Sequence, residues 1–172
     1  QKCTKITNIT IPNSIKEIGK SAFLGCSSLT NIIIPNSVKE IGEYAFQGCS
    51  SLTNITISNN VTKLETCVFS KCTSLTNITI PNNIKEIGEY AFWKCSSLDN
   101  VKIPNTVTKI FKHAFRECSS LKNIPILNND TEIDKDAFPN NCKITYQKRE
   151  ETNHKYKELM FLFLQHFSNL FI

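Results

Sequence analysis

Eight cysteines are the side chains in this 172-residue sequence with the most reactive chemistry. Thiolates hold zinc when they occur in closely spaced pairs, such as Cys-x-x-Cys, that together complete a tetrahedron. The nearest two are Cys67 and Cys72, and the three histidines, His113, His154 and His166, keep no ligand spacing from them. The sequence therefore predicts no metal site and no cofactor.

Catalysis by a serine, threonine or cysteine requires a neighbouring base that is itself held in place. The hydroxyl groups of this chain instead recur in pairs such as Ser27-Ser28 and Ser50-Ser51, and the sequence has no glycine-rich phosphate loop. We therefore expect no catalytic residues and interpret the chain as a binding module rather than an enzyme.

The charge pattern argues against a nucleic-acid partner. The net charge is +5, but many lysines are followed by a glutamate, as in Lys16-Glu17, Lys39-Glu40 and Lys85-Glu86. Nucleic-acid binding requires basic residues clustered on one face, so we predict a mixed, solvated surface and a protein ligand. The chain opens with Gln1 inside a repeat and shows no secretory leader, which is typical of a fragment or a processed form.

The spacing of the cysteines reveals an internal repeat, because six of them recur every 23 residues. Phenylalanine and asparagine recur with the same period, which predicts a stack of coils that bury their apolar sides against one another. The six coils start at Cys3, Cys26, Cys49, Cys72, Cys95 and Cys118. We assign residues 1–146 to this solenoid and residues 147–172 to a non-repeating tail.

Each coil shows two patterns in succession. Ile32 and Ile34 alternate with outward positions, which predicts a short strand with one buried face. Val38 and Ile41 are three residues apart, which predicts a tight helical or irregular turn leading back to the next strand. The expected fold is therefore a solenoid of the α/β type or mainly β, with parallel strands stacked about 4.8 Å apart.

The repeated pattern Leu-x-x-Ile-x-Ile-Pro-Asn-x-Val-x-x-Ile-Gly-x-x-Ala-Phe-x-x-Cys covers about residues 3–142 and resembles the BspA-like leucine-rich repeats. The resemblance implies a right-handed superhelix with its strand ladder on the concave face. It also implies a surface or extracellular protein of an anaerobic bacterium or parasitic protist that adheres to host proteins. Because reduced cysteines suit the cytosol, a cytoplasmic scaffold that docks a partner such as a signalling enzyme is the alternative.

The partner-binding surface is predicted on the outward side of the strands, where a row of asparagines runs beside a row that varies from coil to coil. A solubilising strip without a ligand is the alternative for this surface. The two rows are Asn8, Asn31, Asn54, Asn77 and Asn100, and Thr10, Ile33, Thr56, Thr79 and Lys102. A second asparagine row, which begins at Asn13, is expected to bond backbone groups of the turns.

Aromatic and basic residues on the return side of the coils form the alternative binding surface. Tyr90 and Trp93 are three residues apart, and Arg116 lies one coil later at the position of Trp93. Tyr44 lies two coils before Tyr90. Aromatic residues and arginine are enriched at protein interfaces, so these four residues are retained as a second candidate.

The cysteine column is expected to consist of buried, reduced thiols, with disulfides between adjacent coils as the alternative. Cys67 lies outside that column, among mostly polar residues, and is expected to be the most exposed thiol. In coil six, Asp130 stands where other coils have a buried Val or Ile, and Pro125 enters the strand. This coil is therefore interpreted as a degenerate repeat at the C-terminal end of the stack. Residues 142–146 are predicted to add a last short strand.

The tail ends in a strongly apolar run, residues 159–172, that is shorter than the ~20 residues of a membrane span. We predict a helix that caps the solenoid. A membrane-surface segment or truncated anchor and a disordered extension are the alternatives, and the oligomeric state is not predicted.

Overall fold

A computed structural model describes residues 5–146, which form a parallel-strand β-solenoid of about six coils. Each coil contributes one strand of three or four residues and one of two residues, called here the long and the short strands. The long strands are β1 (Asn8–Thr10), β3 (Asn31–Ile33), β5 (Asn54–Thr56), β7 (Asn77–Thr79), β9 (Asn100–Lys102) and β11 (Asn123–Ile126). The short strands are β2 (Glu17–Ile18), β4 (Glu40–Ile41), β6 (Lys63–Leu64), β8 (Glu86–Ile87), β10 (Lys109–Ile110) and β12 (Glu132–Ile133).

The pairing register confirms the 23-residue period. Asn8 pairs with Asn31 and Asn31 with Asn54 in the sheet β1-β3-β5, and Asn77 pairs with Asn100 in β7-β9. The short strands pair in the same parallel way, as β2-β4 and as β6-β8-β10-β12. Equivalent side chains of successive coils therefore lie directly beside one another along the stack.

A column of phenylalanines runs through the core. The rings of Phe23, Phe46, Phe69, Phe92 and Phe115 stack on one another and on Phe138, with centroids 4.9–5.6 Å apart. From Phe46 to Phe115 these side chains are fully buried. A coil of this size cannot bury its apolar side alone, so the column is one of the features that make stacking favourable.

The second half of each coil is not helical, so the expected helical turn and the α/β class are wrong for residues 5–146. Two residues in each of the first five coils take a left-handed backbone conformation, with φ of 56° to 72°, and a right-handed helix cannot pass through them. They are Ser21, Tyr44, Cys67, Tyr90 and His113 at the first position, and Gly25, Gly48, Lys71, Lys94 and Glu117 at the second. The irregular return turn was the correct part of the expectation.

Hydrogen bonds between coils replace those a helix would make. The backbone N–H of Ser21 donates to Glu43 at 2.9 Å, and that of Phe23 donates to Ala45 at 2.7 Å. The same bonds recur one coil later, where Tyr44 donates to Thr66 at 3.0 Å. Because a buried N–H without a partner is costly, each turn depends on the coil that follows it.

Coil six keeps the overall period but shifts its turn by one residue. Thr131, not Asp130, takes the buried place of Val107, and its N–H donates to Asn128 as that of Val107 donates to Pro104. Asp130 is exposed, so the expectation that it stands in the buried position is wrong. A polar residue can occupy the end of the stack because the shifted turn keeps its carboxylate outside the core.

The last strand is confirmed. β13 (Lys143–Tyr146) pairs in parallel with β11, and Pro125 lies inside β11 opposite Thr145. Proline has no N–H to donate, and β11 forms no strand ladder with β9; an isolated bridge joins Ile126 to Ile103, the residue after β9. The expected helical cap falls on residues 147–172, outside the described residues.

Candidate functional site

The outward residues of the long strands form an exposed surface, called here the strand face. The predicted residues of both rows are exposed on it, from Asn8 and Thr10 to Asn100 and Lys102. Between each exposed pair, the middle residue of the strand points into the core; Ile32 and Val101 are buried in this way. Ile33 is the most apolar member and is 69% exposed.

Hydrogen bonds order the asparagine row in the N-terminal half of the strand face. The Nδ2 groups of Asn31 and Asn54 donate to the hydroxyl of the preceding threonine, Thr30 or Thr53, at 3.2 Å. Those hydroxyls donate to backbone carbonyls one coil earlier. Nδ2 of Asn54 also donates to Oδ1 of Asn31 at 3.0 Å. The amides are therefore fixed before any ligand arrives, which lowers the ordering cost of binding.

The second asparagine row bonds the turns, as predicted, over part of its length. Oδ1 of Asn36 accepts the backbone N–H of Asn59 at 3.0 Å. The neighbouring asparagines Asn60 and Asn83 donate their Nδ2 groups to the carbonyls of Asn36 and Asn59, respectively. The bonding of this second row is consistent with a structural role.

Three shallow depressions follow the strand face between the two asparagine rows. Their volumes are about 410 Å³ beside β1 and β3, 450 Å³ beside β3 and β5, and 650 Å³ beside β7 and β9. Within the part of the chain that the structure describes, no aspartate or glutamate lines any of the three. The 500 Å³ depression beside the short strands, in contrast, is lined by four glutamates and two lysines: Glu17, Glu40, Glu43, Glu65, Lys39 and Lys63. The two surfaces therefore differ in charge.

The return side carries the alternative candidate, which the structure brings together in part. Tyr90 contacts Trp93 edge to face at 6.0 Å, and Arg116 lies on the next coil, with Nη1 3.4 Å from Nδ1 of His113. Tyr44 is separate from this group and lies under the ammonium group of Lys20, 5.5 Å from its ring centroid.

Trp93 already has partners within the chain. The ammonium groups of Lys71 and Lys94 lie 5.2 and 4.5 Å from its ring, and its Nε1 donates to Glu117 at 2.9 Å. Sequence reasoning missed these partners, although the repeat places Lys71 and Lys94 in one column. Because its ring and its N–H both have partners within the chain, Trp93 is less available to a ligand than the sequence suggested.

The cysteine column has a hydrogen-bonding role that the sequence did not reveal. The thiols of Cys49, Cys72, Cys95 and Cys118 donate to the backbone carbonyls of Phe23, Phe46, Phe69 and Phe92, with Sγ–O distances of 3.0–3.3 Å. Burial raises the pKa of the Cys49 thiol to about 12 and raises the pKa values of Cys72 and Cys95 well above their ordinary value. None of the seven cysteines in residues 5–146 forms a disulfide.

Cys67 is buried, so its expected exposure is wrong. It lies between Tyr44 and Tyr90 in its column, and a short side chain flanked by two large ones is shielded from solvent. Burial raises the pKa of this thiol. Cys142 is the least buried of the described thiols.

Residues 5–146 contain neither a metal-binding cluster nor a membrane-spanning helix. No three His, Cys, Asp or Glu residues in this range are grouped so that they could hold a metal ion. In the same range, no helix has the length and apolar character needed to cross a membrane.

Comparison with known families identifies the repeat. The family described as BspA type Leucine rich repeat region matches in six copies, over residues 1–98 and 39–168. A search of curated proteins finds no match.

Solved structures of bacterial proteins share the fold. A leucine-rich cell surface protein of Faecalibacterium prausnitzii is 38% identical over 73% of this chain, with a TM-score of 0.66. The leucine-rich repeat protein of T. pallidum is 27% identical over 84% of the chain and 77% of its own, with a TM-score of 0.64. The pneumococcal vaccine antigen PcpA shares the fold at 22% identity, over 86% of this chain and 38% of its own, with a TM-score of 0.74. This chain spans 31% of the F. prausnitzii protein.

Proposed function

Since the chain belongs to the BspA-type leucine-rich repeat family, we propose that it is a non-catalytic protein-binding module whose strand face holds the partner. The observation that carries this proposal is the exposed, hydrogen-bonded asparagine row, with Asn54 bonded to Asn31, beside a row that varies from Thr56 to Lys102. A rigid array with variable neighbours suits recognition, because little conformational entropy is lost on binding. We further infer a right-handed superhelix with the long strands on its concave side.

We place the protein at the cell surface, where it contributes to adhesion or to recognition of host proteins. The similarity to a leucine-rich cell surface protein of F. prausnitzii supports this location. The thiols that motivated a cytoplasmic scaffold donate to core carbonyls, as Cys95 does to Phe69. They are therefore explained by packing and do not favour the cytosol.

A photo-crosslinking experiment tests the strand face directly. A benzoylphenylalanine is placed at Thr56, on the strand face, and in a second variant at Lys85, which is exposed but outside it. Both variants are incubated with a panel of purified extracellular proteins, and adducts are identified by mass spectrometry. We expect adducts from position 56 that position 85 does not give. A third variant carries the probe at Arg116, on the return side. Equal adducts from positions 56 and 85, or adducts from position 116 alone, would place the interface outside the strand face.

A further inference from the structure

The strand face changes character between coils four and five. Asn31, Asn54 and Asn77 each donate Nδ2 to the threonine before them, but Asn100 is preceded by Asp99, which has no hydroxyl group. Within residues 5–146, the side chain of Asn100 makes no hydrogen bond. The loss of one threonine hydroxyl thus frees an exposed amide.

The second asparagine row also contains amides without a bond beside this depression. The side chains of Asn36 and Asn128 bond backbone groups, whereas those of Asn59, Asn82 and Asn105 have no hydrogen-bond partner in the described part of the chain. Three amides around the 650 Å³ depression, those of Asn82, Asn100 and Asn105, therefore have no hydrogen-bond partner among residues 5–146. Amide groups in this state are available to a ligand.

Lys102 supplies the charge of this depression. Lys63 and Lys109, on the short strands, are paired with glutamates at 3.3–3.5 Å and 2.8 Å. Lys102 is exposed and has no ion pair with any described residue. An unpaired ammonium among free amides creates a site that favours an anion.

The shape and lining of the depression narrow the choice of ligand. It has a volume of about 650 Å³, and Asn82, Asn100, Lys102 and Asn105 surround apolar residues that include Pro104 and Leu127. No carboxylate of the described residues lines it. The apolar lining fits the methylene groups of a side chain, while the amides and the ammonium fit its carboxylate.

We propose that this depression binds a glutamate or aspartate side chain from an extended acidic segment of the partner protein. This inference rests on the proposed function of the strand face and adds the chemical class of its ligand. Lys102 contributes a charge-assisted hydrogen bond, and Asn100 and Asn105 donate from their Nδ2 groups. The depression beside the short strands, where four glutamates accompany two lysines, is less favourable to such a segment.

The experiment is a ¹⁵N NMR titration of the full chain with two synthetic peptides, acetyl-(Thr-Glu)₄-amide and acetyl-(Thr-Gln)₄-amide. We expect the glutamate peptide to shift the backbone signal of Lys102 and the side-chain NH₂ signals of Asn100 and Asn105. Lys102→Gln should weaken its binding about tenfold, the effect of losing one charge-assisted hydrogen bond. The matched control is Lys85→Gln. Lys85 lies on coil four outside the strand face, is exposed and has no ion pair with a described residue. Its substitution should change binding less than about twofold.

The outcomes separate this inference from the proposed function. Equal binding of the glutamine peptide, with the same signals shifted, overturns the acidic preference but leaves the strand face as the binding surface. Equal weakening by Lys85→Gln shows attraction to the net positive charge and overturns the site. A heparin hexasaccharide that shifts these signals when the glutamate peptide does not identifies a carbohydrate ligand and overturns the proposal. Lys102→Arg should restore binding, which excludes a general folding defect of Lys102→Gln.

Discussion

The thiol of Cys95 donates a hydrogen bond to the backbone carbonyl of Phe69, 26 residues earlier in the chain, with an Sγ–O distance of 3.1 Å. The same carbonyl accepts the backbone N–H of Cys72 at 3.2 Å. The cysteine column is therefore a ladder of donors that runs along the stack of coils. This relationship explains why cysteine recurs at a place where another small apolar residue would only fill space.

Cys95→Ala is expected to destabilise the solenoid by about 1–3 kcal/mol. The variant loses the thiol donor and leaves a small cavity beside Phe69. Urea unfolding followed by circular dichroism measures the change in unfolding free energy. Cys142→Ala, at a partly exposed position, is the matched control and should cost less. If the two variants are equally stable, the hydrogen-bonded column does not contribute to stability.

Stability is expected to fall as the pH rises from about 9 to 12. The folded state keeps the Cys49 thiol protonated, since its pKa is raised from 9.0 to about 12, whereas the unfolded chain ionises it near 9. The contribution is fully present below pH 9 and is lost through this window, at up to about 1.4 kcal/mol per pH unit for each such thiol. Exposed lysines such as Lys20, whose pKa is raised by its hydrogen bond with Glu43, act weakly in the same direction.

Urea unfolding at pH 7, 9 and 10.5 tests this, with Cys49→Val as the control that lacks one of the shifted thiols. The variant should lose less stability between pH 9 and 10.5 than the original chain. Parallel losses in both proteins would mean that lysine titration, rather than the cysteine column, governs the alkaline limit.

Thiol labelling should distinguish the cysteines by their position. Only the thiolate reacts, so Cys142 should be modified first by a maleimide, Cys67 more slowly, and the column cysteines only on unfolding. The experiment uses a Cys3→Ser background, because Cys3 lies outside the described residues, and mass spectrometry assigns the labelled peptides. Labelling of Cys72 or Cys95 as fast as Cys142 in the native protein would contradict the burial of the column.

The fold was predictable from the sequence because the period of 23 residues fixes the register of every coil. Ile32 and Val38 can be predicted to be buried from the alternation and the spacing of the apolar residues in their coil. The non-helical return turn was hidden, since left-handed φ values occur at Tyr44, Cys67 and Tyr90, which are residue types that do not signal such a conformation. Only Gly25 and Gly48 carry the expected signal, and the later coils replace them with Lys71 and Lys94.

The strand face was also predictable, but its internal differences were not. Alternation with buried Ile and Val places the exposed rows correctly. Which amides lack a partner depends on side-chain hydrogen bonds, and periodicity does not describe these. At Asp99, for example, the threonine hydroxyl that accepts from the asparagine in other coils is missing. That change is visible in the sequence only once the structure shows that Thr30 and Thr53 anchor the asparagines after them.

Phe92→Ala is expected to cost about 3–5 kcal/mol. Its ring is fully buried and stacks on Phe69 at 5.5 Å and Phe115 at 4.9 Å. Phe23→Ala is the control, because Phe23 is only partly buried and stacks on Phe46 alone among the described residues. The difference in unfolding free energy between the two variants measures the value of a second stacked neighbour. A loss of less than about 1 kcal/mol for Phe92→Ala would show that the column is not a core element.

In the shifted turn of coil six, the 23-residue period places residue 130 in the core, whereas the structure places Thr131 there. This difference can be tested by mutation. The hydroxyl of Thr131 is buried and donates to the carbonyls of Val107 and Asn128, each at 2.8 Å. Thr131→Ala should therefore destabilise the solenoid by about 1–2 kcal/mol, because those carbonyls lose a donor.

Asp130→Val provides the decisive comparison for that turn. If the count placed residue 130 in the core, valine would restore the apolar column of Val61 and Val107 and stabilise the protein. Because Asp130 is exposed, the substitution should instead change the unfolding free energy by less than Thr131→Ala does, within roughly 0.5 kcal/mol of the original. Thermal and urea unfolding of both variants measure this. Clear stabilisation by Asp130→Val, together with a neutral Thr131→Ala, would show that coil six keeps the register of the other coils.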